Sequence, residues 1–272
     1  MIATREIAVG EARLFVHCTG AAVHGATKAP LALLVHGYPL DHRMWLDLMH
    51  SSVQKTHTLA AIDLRGHGRS PWAGDATHAM TTFADDLAAV ARTISDDPVD
   101  LVALSMGGYA ALSLCERHPS LVRSLVLVDT KATADTDAGK EARRIAAQNV
   151  VQHGRRWLAD QMLPKLVAES APAEVRARLQ TMIESTPVET ILADLDGMCR
   201  REERMHVLAG LRVPVLCAVG ALDVLTPVSE AAAMATAAVH GTLEVIGGAG
   251  HMVPMERPVE FAAMLARFWF NR

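Results

Sequence analysis

Short, continuous apolar segments recur along the chain and constrain its fold more than any other feature. They lack the alternation of polar and apolar residues that half-solvated strands show. Such continuous apolar segments are typical of strands buried on both faces. Segments with helical spacing separate them, so the sequence predicts an α/β fold: a mostly parallel sheet flanked by helices. Two strands joined by a turn at Val9, Gly10 and Glu11 precede this alternation. The apolar segments are LALLV at 31–35, THTLAAID at 56–63, VDLVAL at 99–104, LVRSLVLVD at 121–129, VPVLCAVG at 213–220 and TLEVIGG at 242–248.

The alternation of strands and helices stops after Thr130. From residue 131 to about residue 210 the sequence has only helical patterns, and strand-like segments then resume. The simplest organisation is a core domain of residues 1–130 and 211–272 with a helical cap at 131–210. Within the cap, TPVE at 186–189 has the form of a capping box, which predicts Thr186 as the N-cap of a helix.

The composition is that of an ordinary globular protein. The chain has 272 residues, of which 50% are hydrophobic and 21% charged, and its net charge is −4. Because it lacks a run of Lys and Arg, we expect neither nucleic acid nor a membrane as a partner. The N-terminal segment has no signal-peptide pattern, and the four cysteines have no paired spacing, which favours free thiols in the cytoplasm. We expect a monomer or a homodimer.

The segment LSMGG at 104–108 lies between a buried-strand pattern and a helical pattern. A serine at such a junction can occupy a nucleophile elbow, a strained turn where small neighbours let strand and helix approach each other. The usual pattern is G-x-S-x-G, and Ala103 stands in place of the first glycine. Serine is also a common helix N-cap. From this segment alone, Ser105 is either a nucleophile or a cap.

A serine nucleophile needs a base that takes its proton and a carboxylate that orients the base. In an open α/β sheet these groups lie in loops that follow the carboxyl ends of strands. Asp223 follows one predicted strand and His251 follows the next, in the order nucleophile, acid, base. Asp129, which also follows a strand, is the alternative acid.

An oxyanion hole is the remaining requirement, because backbone donors stabilise the negative charge of the tetrahedral intermediate. The backbone N–H of Met106, next to the nucleophile, is one expected donor. The other is the N–H of Tyr38 in the loop HGYP at 36–39.

Five motifs in this order resemble those of the α/β-hydrolase family. They are LLVHGYP, DLRGHGRS, LSMGGYAAL, VGALDVLTP and GGAGHMVPMERP, and they extend from residue 33 to residue 258. The resemblance implies a sheet of about eight strands, a cap inserted after the sixth strand, a Ser-Asp-His triad and no cofactor. The front loop is similar to that of arylesterases, perhydrolases and cofactor-free haloperoxidases. The elbow region looks more like carboxylesterases and 3-oxoadipate enol-lactonases.

The resemblance implies hydrolysis of a small to medium carboxylic ester or lactone through an acyl-serine intermediate. The expected partner is therefore this small-molecule substrate. Serine at the elbow, where dehalogenases and epoxide hydrolases of the family have aspartate, argues against those branches. Three other functions stay open. The same triad could run perhydrolysis with peroxide or C–C bond hydrolysis, or the chain could be a weakly catalytic receptor for a small ligand.

Cap residues are expected to line the substrate pocket. The candidates are Trp157, Met162, Met182 and Met198, although side chains at such helical spacing also form cap cores. Flexible, sulfur-rich side chains would suit an apolar acyl group.

The remaining histidines and arginines have no catalytic pattern. His36 and His67 lie in glycine-flanked loops and are interpreted as structural. Arg65 and Arg69 lack the P-loop pattern of a phosphate site. The histidines and cysteines form neither HExxH nor CxxC, so no metal is predicted.

Overall fold

An eight-stranded sheet in the order β1-β2-β4-β3-β5-β6-β7-β8 forms the centre of the molecule. A computed structural model describes residues 2–20 and 29–270. β1 pairs antiparallel with β2 and β2 with β4, whereas all other neighbours are parallel. The strands are β1 (Ile2–Val9), β2 (Ala12–Thr19), β3 (Leu31–Val35), β4 (Thr58–Asp63), β5 (Val99–Leu104), β6 (Val122–Val128), β7 (Val215–Gly220) and β8 (Gly241–Ile246). The predicted α/β fold class, with a mostly parallel eight-stranded sheet flanked by helices, is confirmed.

The central strands are apolar throughout because both faces of the sheet are covered. Every residue of β3, β4, β5 and β7 is buried, whereas the edge strand β8 is largely exposed. Since the parallel strands share one direction, the loops after β3, β5, β6, β7 and β8 meet at the same edge of the sheet. Residues distant in the chain can therefore form one site there.

Ten α-helices are present in the described part of the chain. None of these helices is both long and apolar enough to span a membrane. They are α1 (Leu46–Met49), α2 (Met80–Ile94), α3 (Met106–Arg117), α4 (Asp137–Leu166), α5 (Ala173–Ser185), α6 (Val188–Arg200), α7 (Met205–Gly210), α8 (Val228–Ala237), α9 (Val253–Glu256) and α10 (Pro258–Phe270).

Four of these helices, α4 to α7, occupy the segment between β6 and β7, which contains no strand. The longest, α4, is interrupted at Gly154, whose φ of 75° is not helical. Glycine is the residue best able to adopt that conformation, so the interruption is encoded locally.

The capping-box prediction at Thr186 is wrong. Pro187 is the N-cap of α6, and no side chain caps this helix. The Thr186 hydroxyl instead donates to the carbonyl oxygens of Met182, at 3.1 Å, and Pro39, at 2.9 Å. Thr186 therefore links the end of α5 to the loop after β3, a role that depends on a residue far away in the sequence.

A buried charge cluster connects α6 to the loops of the core. Asp194 Oδ1 accepts a hydrogen bond of 2.7 Å from His78 Nδ1, and Asp194 Oδ2 lies 2.9 Å from His67 Nε2. The second contact is an ion pair rather than an aligned hydrogen bond. Burial opposes the charge of His67, but Asp194 outweighs burial and raises the pKa of His67. The helix approaches closely here, since a Cβ on Gly197 would lie 1.9 Å from His78 O.

Candidate active site

Ser105 occupies the turn between β5 and α3. Its φ of 53° and ψ of −117° are strained for a residue other than glycine. Its N–H donates to Val128 O at 3.0 Å, and its carbonyl oxygen accepts from Gly108 N and Thr130 Oγ1. The Ser105 side chain makes no capping hydrogen bond to α3. The Ser105 hydroxyl therefore does not cap α3, so the interpretation of this hydroxyl as a helix cap is wrong.

Two glycines let the start of α3 pass close to neighbouring strands. A Cβ on Gly107 would lie 2.6 Å from Val35 O, and a Cβ on Gly108 would lie 2.5 Å from Thr130 Oγ1. Any larger residue would push α3 away from the sheet. The small residues of LSMGG are required by this packing.

His251 and Asp223 meet at the carboxyl edge of the sheet. His251 Nδ1 donates to Asp223 Oδ2 at 2.8 Å, and both residues are buried. Asp223 Oδ1 also accepts from the N–H groups of Leu225 and Thr226, and Oδ2 accepts from the Thr226 hydroxyl at 2.5 Å. Burial opposes ionisation of Asp223, but its bond to His251 and these donors lower its pKa. The carboxylate is therefore ionised and rigidly held, as a group that orients an imidazole must be.

Asp129, the alternative acid, points elsewhere. Its Oδ1 accepts from Gly220 N at 2.8 Å, and its Oδ2 lies 3.4 Å from Val253 N. Burial and the nearby Asp223 carboxylate raise the pKa of Asp129 well above its usual value. Of these two carboxylates, Asp223 is the one that contacts the His251 ring.

The two segments that carry the expected oxyanion donors lie next to Ser105. Met106 is the first residue of α3, so its N–H has no acceptor within that helix. The loop that carries Tyr38 passes beside the serine, since a Cβ on Gly37 would lie 3.1 Å from Ser105 Cβ.

A cavity of about 490 Å³ contains both Ser105 and His251 in its lining. Of the predicted pocket residues, Trp157, Met162 and Met198 also line this cavity. Met182 does not line it; its side chain is only 1% exposed and is packed in the hydrophobic core. The expectation for Met182 is corrected, because its face of α5 is turned to the core.

The cavity has further lining residues that sequence analysis did not identify. Gly139, Ala142, Arg143, Ala146 and Asn149 all come from α4. Their spacing of three and four residues places them on one helical face, which was the available signal. The same spacing fits a helix packed on the core, so the sequence could not tell which it was.

The sequence comparison decides the family. A family model described as the alpha/beta hydrolase fold matches residues 30–258. The chain belongs to the α/β-hydrolase family. The matched range contains the loops of this α/β-hydrolase that carry Ser105, Asp223 and His251.

Several relatives of this α/β-hydrolase are esterases. The pimeloyl-[acyl-carrier protein] methyl ester esterase of Neisseria meningitidis is 32% identical over 207 residues, covering 71% of this chain and 75% of that protein. A thermophilic esterase from Thermogutta terrifontis, solved with malate bound, is 30% identical with a TM-score of 0.89 and covers 100% of this chain and 98% of its own. The enol-lactonase of Burkholderia xenovorans LB400, 21% identical with a TM-score of 0.85 over 98% of this chain and 100% of its own, shares the fold.

The Glu256 side chain fixes the backbone of the loop that carries His251. Its Oε1 accepts from Gly250 N at 2.9 Å and Met252 N at 3.1 Å, the two N–H groups that flank His251. Its Oε2 accepts from Ala168 N at 2.8 Å, just beyond the end of α4. One buried carboxylate thus joins the backbone of the histidine loop to the helical segment.

Replacing Glu256 with glutamine is expected to lower kcat roughly ten- to a hundredfold, with a smaller change in KM. The amide supplies one acceptor oxygen, but its NH2 group then faces a backbone donor, which shifts the His251 loop. The values of kcat and KM are measured by steady-state kinetics on an ester that the wild-type protein hydrolyses. The exposed Glu260→Gln variant is the matched control. An unchanged kcat in Glu256→Gln would show that the loop keeps its position without this carboxylate.

The loop histidine His36 has a structural role in the hydrolase. Its Nδ1 donates to Gly37 O at 2.9 Å, and its Nε2 accepts from Leu64 N at 3.0 Å. Burial, reinforced by the neighbouring His67, lowers the pKa of His36 to about 4, so the ring is neutral. Arg65 is engaged by Asp86 and Asp75 at 2.6 to 2.7 Å, which leaves it unsuited to phosphate binding.

One group of metal-type ligands comes together away from the cavity. The ligand atoms of His17, His42 and Asp63 lie within 4.8 Å of one another. The two imidazole rings are stacked, with centroids 3.4 Å apart and an interplanar angle of 12°. Parallel stacked rings cannot both direct an in-plane lone pair at one ion. Asp63 also accepts hydrogen bonds from both histidines and from Arg69 N, so the cluster is a satisfied hydrogen-bond network.

Proposed function

We propose that the protein is a serine hydrolase that cleaves a small to medium carboxylic ester or lactone through an acyl-serine intermediate. The observation that carries the proposal is one cavity lined by both Ser105, on its strained turn, and His251, whose other ring nitrogen is held by Asp223. These are the nucleophile, base and orienting carboxylate that acyl transfer requires.

In the proposed reaction, Ser105 Oγ attacks the ester carbonyl carbon while His251 Nε2 takes the hydroxyl proton. Asp223 keeps the Nδ1–H tautomer and stabilises the imidazolium. The N–H groups of Tyr38 and Met106 donate to the oxyanion. The intermediate collapses as His251 returns the proton to the leaving alcohol. Water then repeats the sequence and releases the acid.

The comparisons support ester chemistry. The Neisseria and Thermogutta proteins, 32% and 30% identical to this chain, are both named as esterases. We assign residues 131–210 to a cap over the catalytic core of residues 1–130 and 211–272, because helices from that segment contribute much of the cavity wall. The four unpaired cysteines support a reducing compartment such as the cytoplasm. A monomer or homodimer would act on a small-molecule substrate without a cofactor.

The test combines turnover with labelling of the nucleophile. Hydrolysis rates are measured on p-nitrophenyl esters from acetate to octanoate, and intact mass is recorded after treatment with a fluorophosphonate. Turnover with one adduct on Ser105 is the expected result. When hydrogen peroxide is added to the assay, release of peracid from the acyl-enzyme would indicate perhydrolysis by the same site. The absence of both turnover and an adduct would overturn the proposal and direct attention to the role of a ligand receptor.

A further inference from the structure

Three cations share one buried carboxylate beside the cavity. Asp135 lies 3.3 Å from Lys131 Nζ, 2.5 Å from Arg143 Nε and 2.7 Å from Arg201 Nη2. Burial opposes ionisation of Asp135, but Arg143 and the other cations lower its pKa to about 2. Asp135 is therefore fully charged, and the set of four residues, the cationic cluster, carries a net charge of +2.

The positive charge of the cationic cluster is only partly compensated. Arg201 has a side chain only 2% exposed, and its Cζ lies 4.0 Å from the centre of the Tyr109 ring. Two of its nitrogens bond to Asp135 and to Thr133 O. Its Nε is buried and has no hydrogen-bond partner among the described residues. Excess buried charge is costly unless an anion balances it.

Three of the four residues of the cationic cluster line the same cavity as the proposed nucleophile, and Arg201 is not among the lining residues. Lys131, Asp135 and Arg143 line it together with Ser105, and so does Tyr109. Tyr109 follows Ser105 by about one helical turn, roughly 6 Å along α3. Lys131 directly follows Thr130, whose hydroxyl donates to Ser105 O at 2.7 Å. A substrate whose anionic group lies beside the cationic cluster would therefore need only a short chain between that group and the carbonyl that Ser105 attacks.

The rest of the lining limits the size and polarity of the remainder of the substrate. Leu195, Met198 and Leu225 contribute apolar walls, while Lys165 adds a further cation. The protein as a whole carries a net charge of −4, so the positive cavity is a local feature and does not reflect the general surface. A neutral alkyl ester uses the apolar walls but leaves the net positive charge of the cationic cluster unbalanced.

We propose that the preferred substrate is an ester or lactone that carries a free carboxylate in addition to its scissile carbonyl, and that the cationic cluster binds this carboxylate. The proposal rests on the proposed hydrolase function and names its substrate class. Hydrolysis then consumes one water and yields an alcohol and an acid, one of which retains the second carboxylate. For a lactone, both groups stay on one product.

The test compares esters that differ only in charge. Monomethyl adipate is anionic, and methyl adipamate replaces its carboxylate with a neutral amide of the same shape. We expect kcat/KM to be at least about tenfold higher for the anionic ester, and the preference to shrink with added salt. The hexanoyl ester of glycolate places the carboxylate on the alcohol instead. A preference for monomethyl adipate would place the carboxylate on the acyl side of the scissile bond. A preference for the glycolate ester would place it on the alcohol side.

Arginine variants assign the preference to the cluster. In Arg143→Gln the ratio of kcat/KM between monomethyl adipate and methyl adipamate is expected to fall about tenfold, whereas Arg143→Lys keeps much of it. Arg144→Gln is the matched control, because Arg144 is exposed and pairs with Glu141 on the surface. The measured quantity is a ratio within each variant, so a general loss of activity does not imitate the effect.

A binding measurement separates failure of this inference from failure of the hydrolase proposal. The Ser105→Ala variant is titrated with monomethyl adipate and with methyl adipamate, and the rise in Tm is recorded. A larger rise with the anionic ester supports the inference independently of turnover. Equal shifts, or equal kcat/KM values in an enzyme that labels on Ser105, would overturn it and leave the hydrolase function standing.

Discussion

Replacing Ser105 with alanine is expected to lower kcat for ester hydrolysis by a factor of about 10³ or more. The variant lacks the nucleophile but retains the base, the oriented carboxylate and the oxyanion donors, so only weak residual catalysis remains. The measurement is the initial rate on the best ester of the p-nitrophenyl series, together with loss of the fluorophosphonate adduct.

Ser113→Ala is the matched control for this substitution. Ser113 lies on α3, the helix that follows Ser105, and its hydroxyl is buried without a hydrogen-bond partner in the described part of the protein. Its removal is expected to leave kcat unchanged. Ser105→Gly adds a second signature: this variant is as inactive as Ser105→Ala but gains about 1 kcal/mol of stability, because glycine relieves the positive φ. Substantial turnover by Ser105→Ala would remove Ser105 from the mechanism.

Asp194→Asn is expected to lower the free energy of unfolding by about 3–5 kcal/mol. The substitution leaves His67 buried without its counter-charge and replaces one acceptor oxygen by a donor facing His67 or His78. Chemical denaturation at neutral pH measures the loss. The control is Asp196→Asn on the same helix, because Asp196 is partly exposed and its contacts with Arg200 and Thr77 lie at the surface. We expect the control to change stability by less than about 1 kcal/mol.

The effect of Asp194→Asn depends on pH with a definite sign. The pKa of His67 is raised, so its contribution to stability is present below about 6.5 and is lost as pH rises through the folded-state value. The pKa of Asp194 is lowered, so its contribution is lost when pH falls through that lowered value. The stability difference between wild type and variant should therefore be smaller at about pH 9 than at about pH 6. A difference that grows with pH would contradict the ion pair.

The fold and the three central residues of the site could be predicted because their signals are local. Each buried strand is a continuous apolar segment, as in Val99–Leu104, and the elbow is marked by a short motif of small residues around Ser105. Asp223 and His251 lie in the loops that follow β7 and β8, and parallel strands bring such loops to one edge of the sheet.

Other expectations failed because the sequence does not say which face of a helix meets which neighbour. Met182 and Met198 belong to α5 and α6, the helices between β6 and β7, yet the first packs into the core and the second lines the cavity. Thr186 stands before a proline as an N-cap would, but its hydroxyl finds Pro39 O from a distant loop. In both cases a tertiary contact outweighed a local preference.

The sequence by itself determined the alternation of strands and helices, the helical insertion, the strained serine turn and the order of nucleophile, acid and base. The alternation, the insertion and the serine turn depend on residues close together in the chain, and the order of Ser105, Asp223 and His251 is read directly from their positions. Only the tertiary structure decided that Glu256 clamps both the His251 loop and Ala168, and that Asp135 is shared by Lys131, Arg143 and Arg201. The contacts of Ala168 with Glu256 and of Arg201 with Asp135 join residues far apart in sequence, and their distances are set by how helices pack on the sheet. The charge of the cavity, and with it the substrate it selects, arises from that packing.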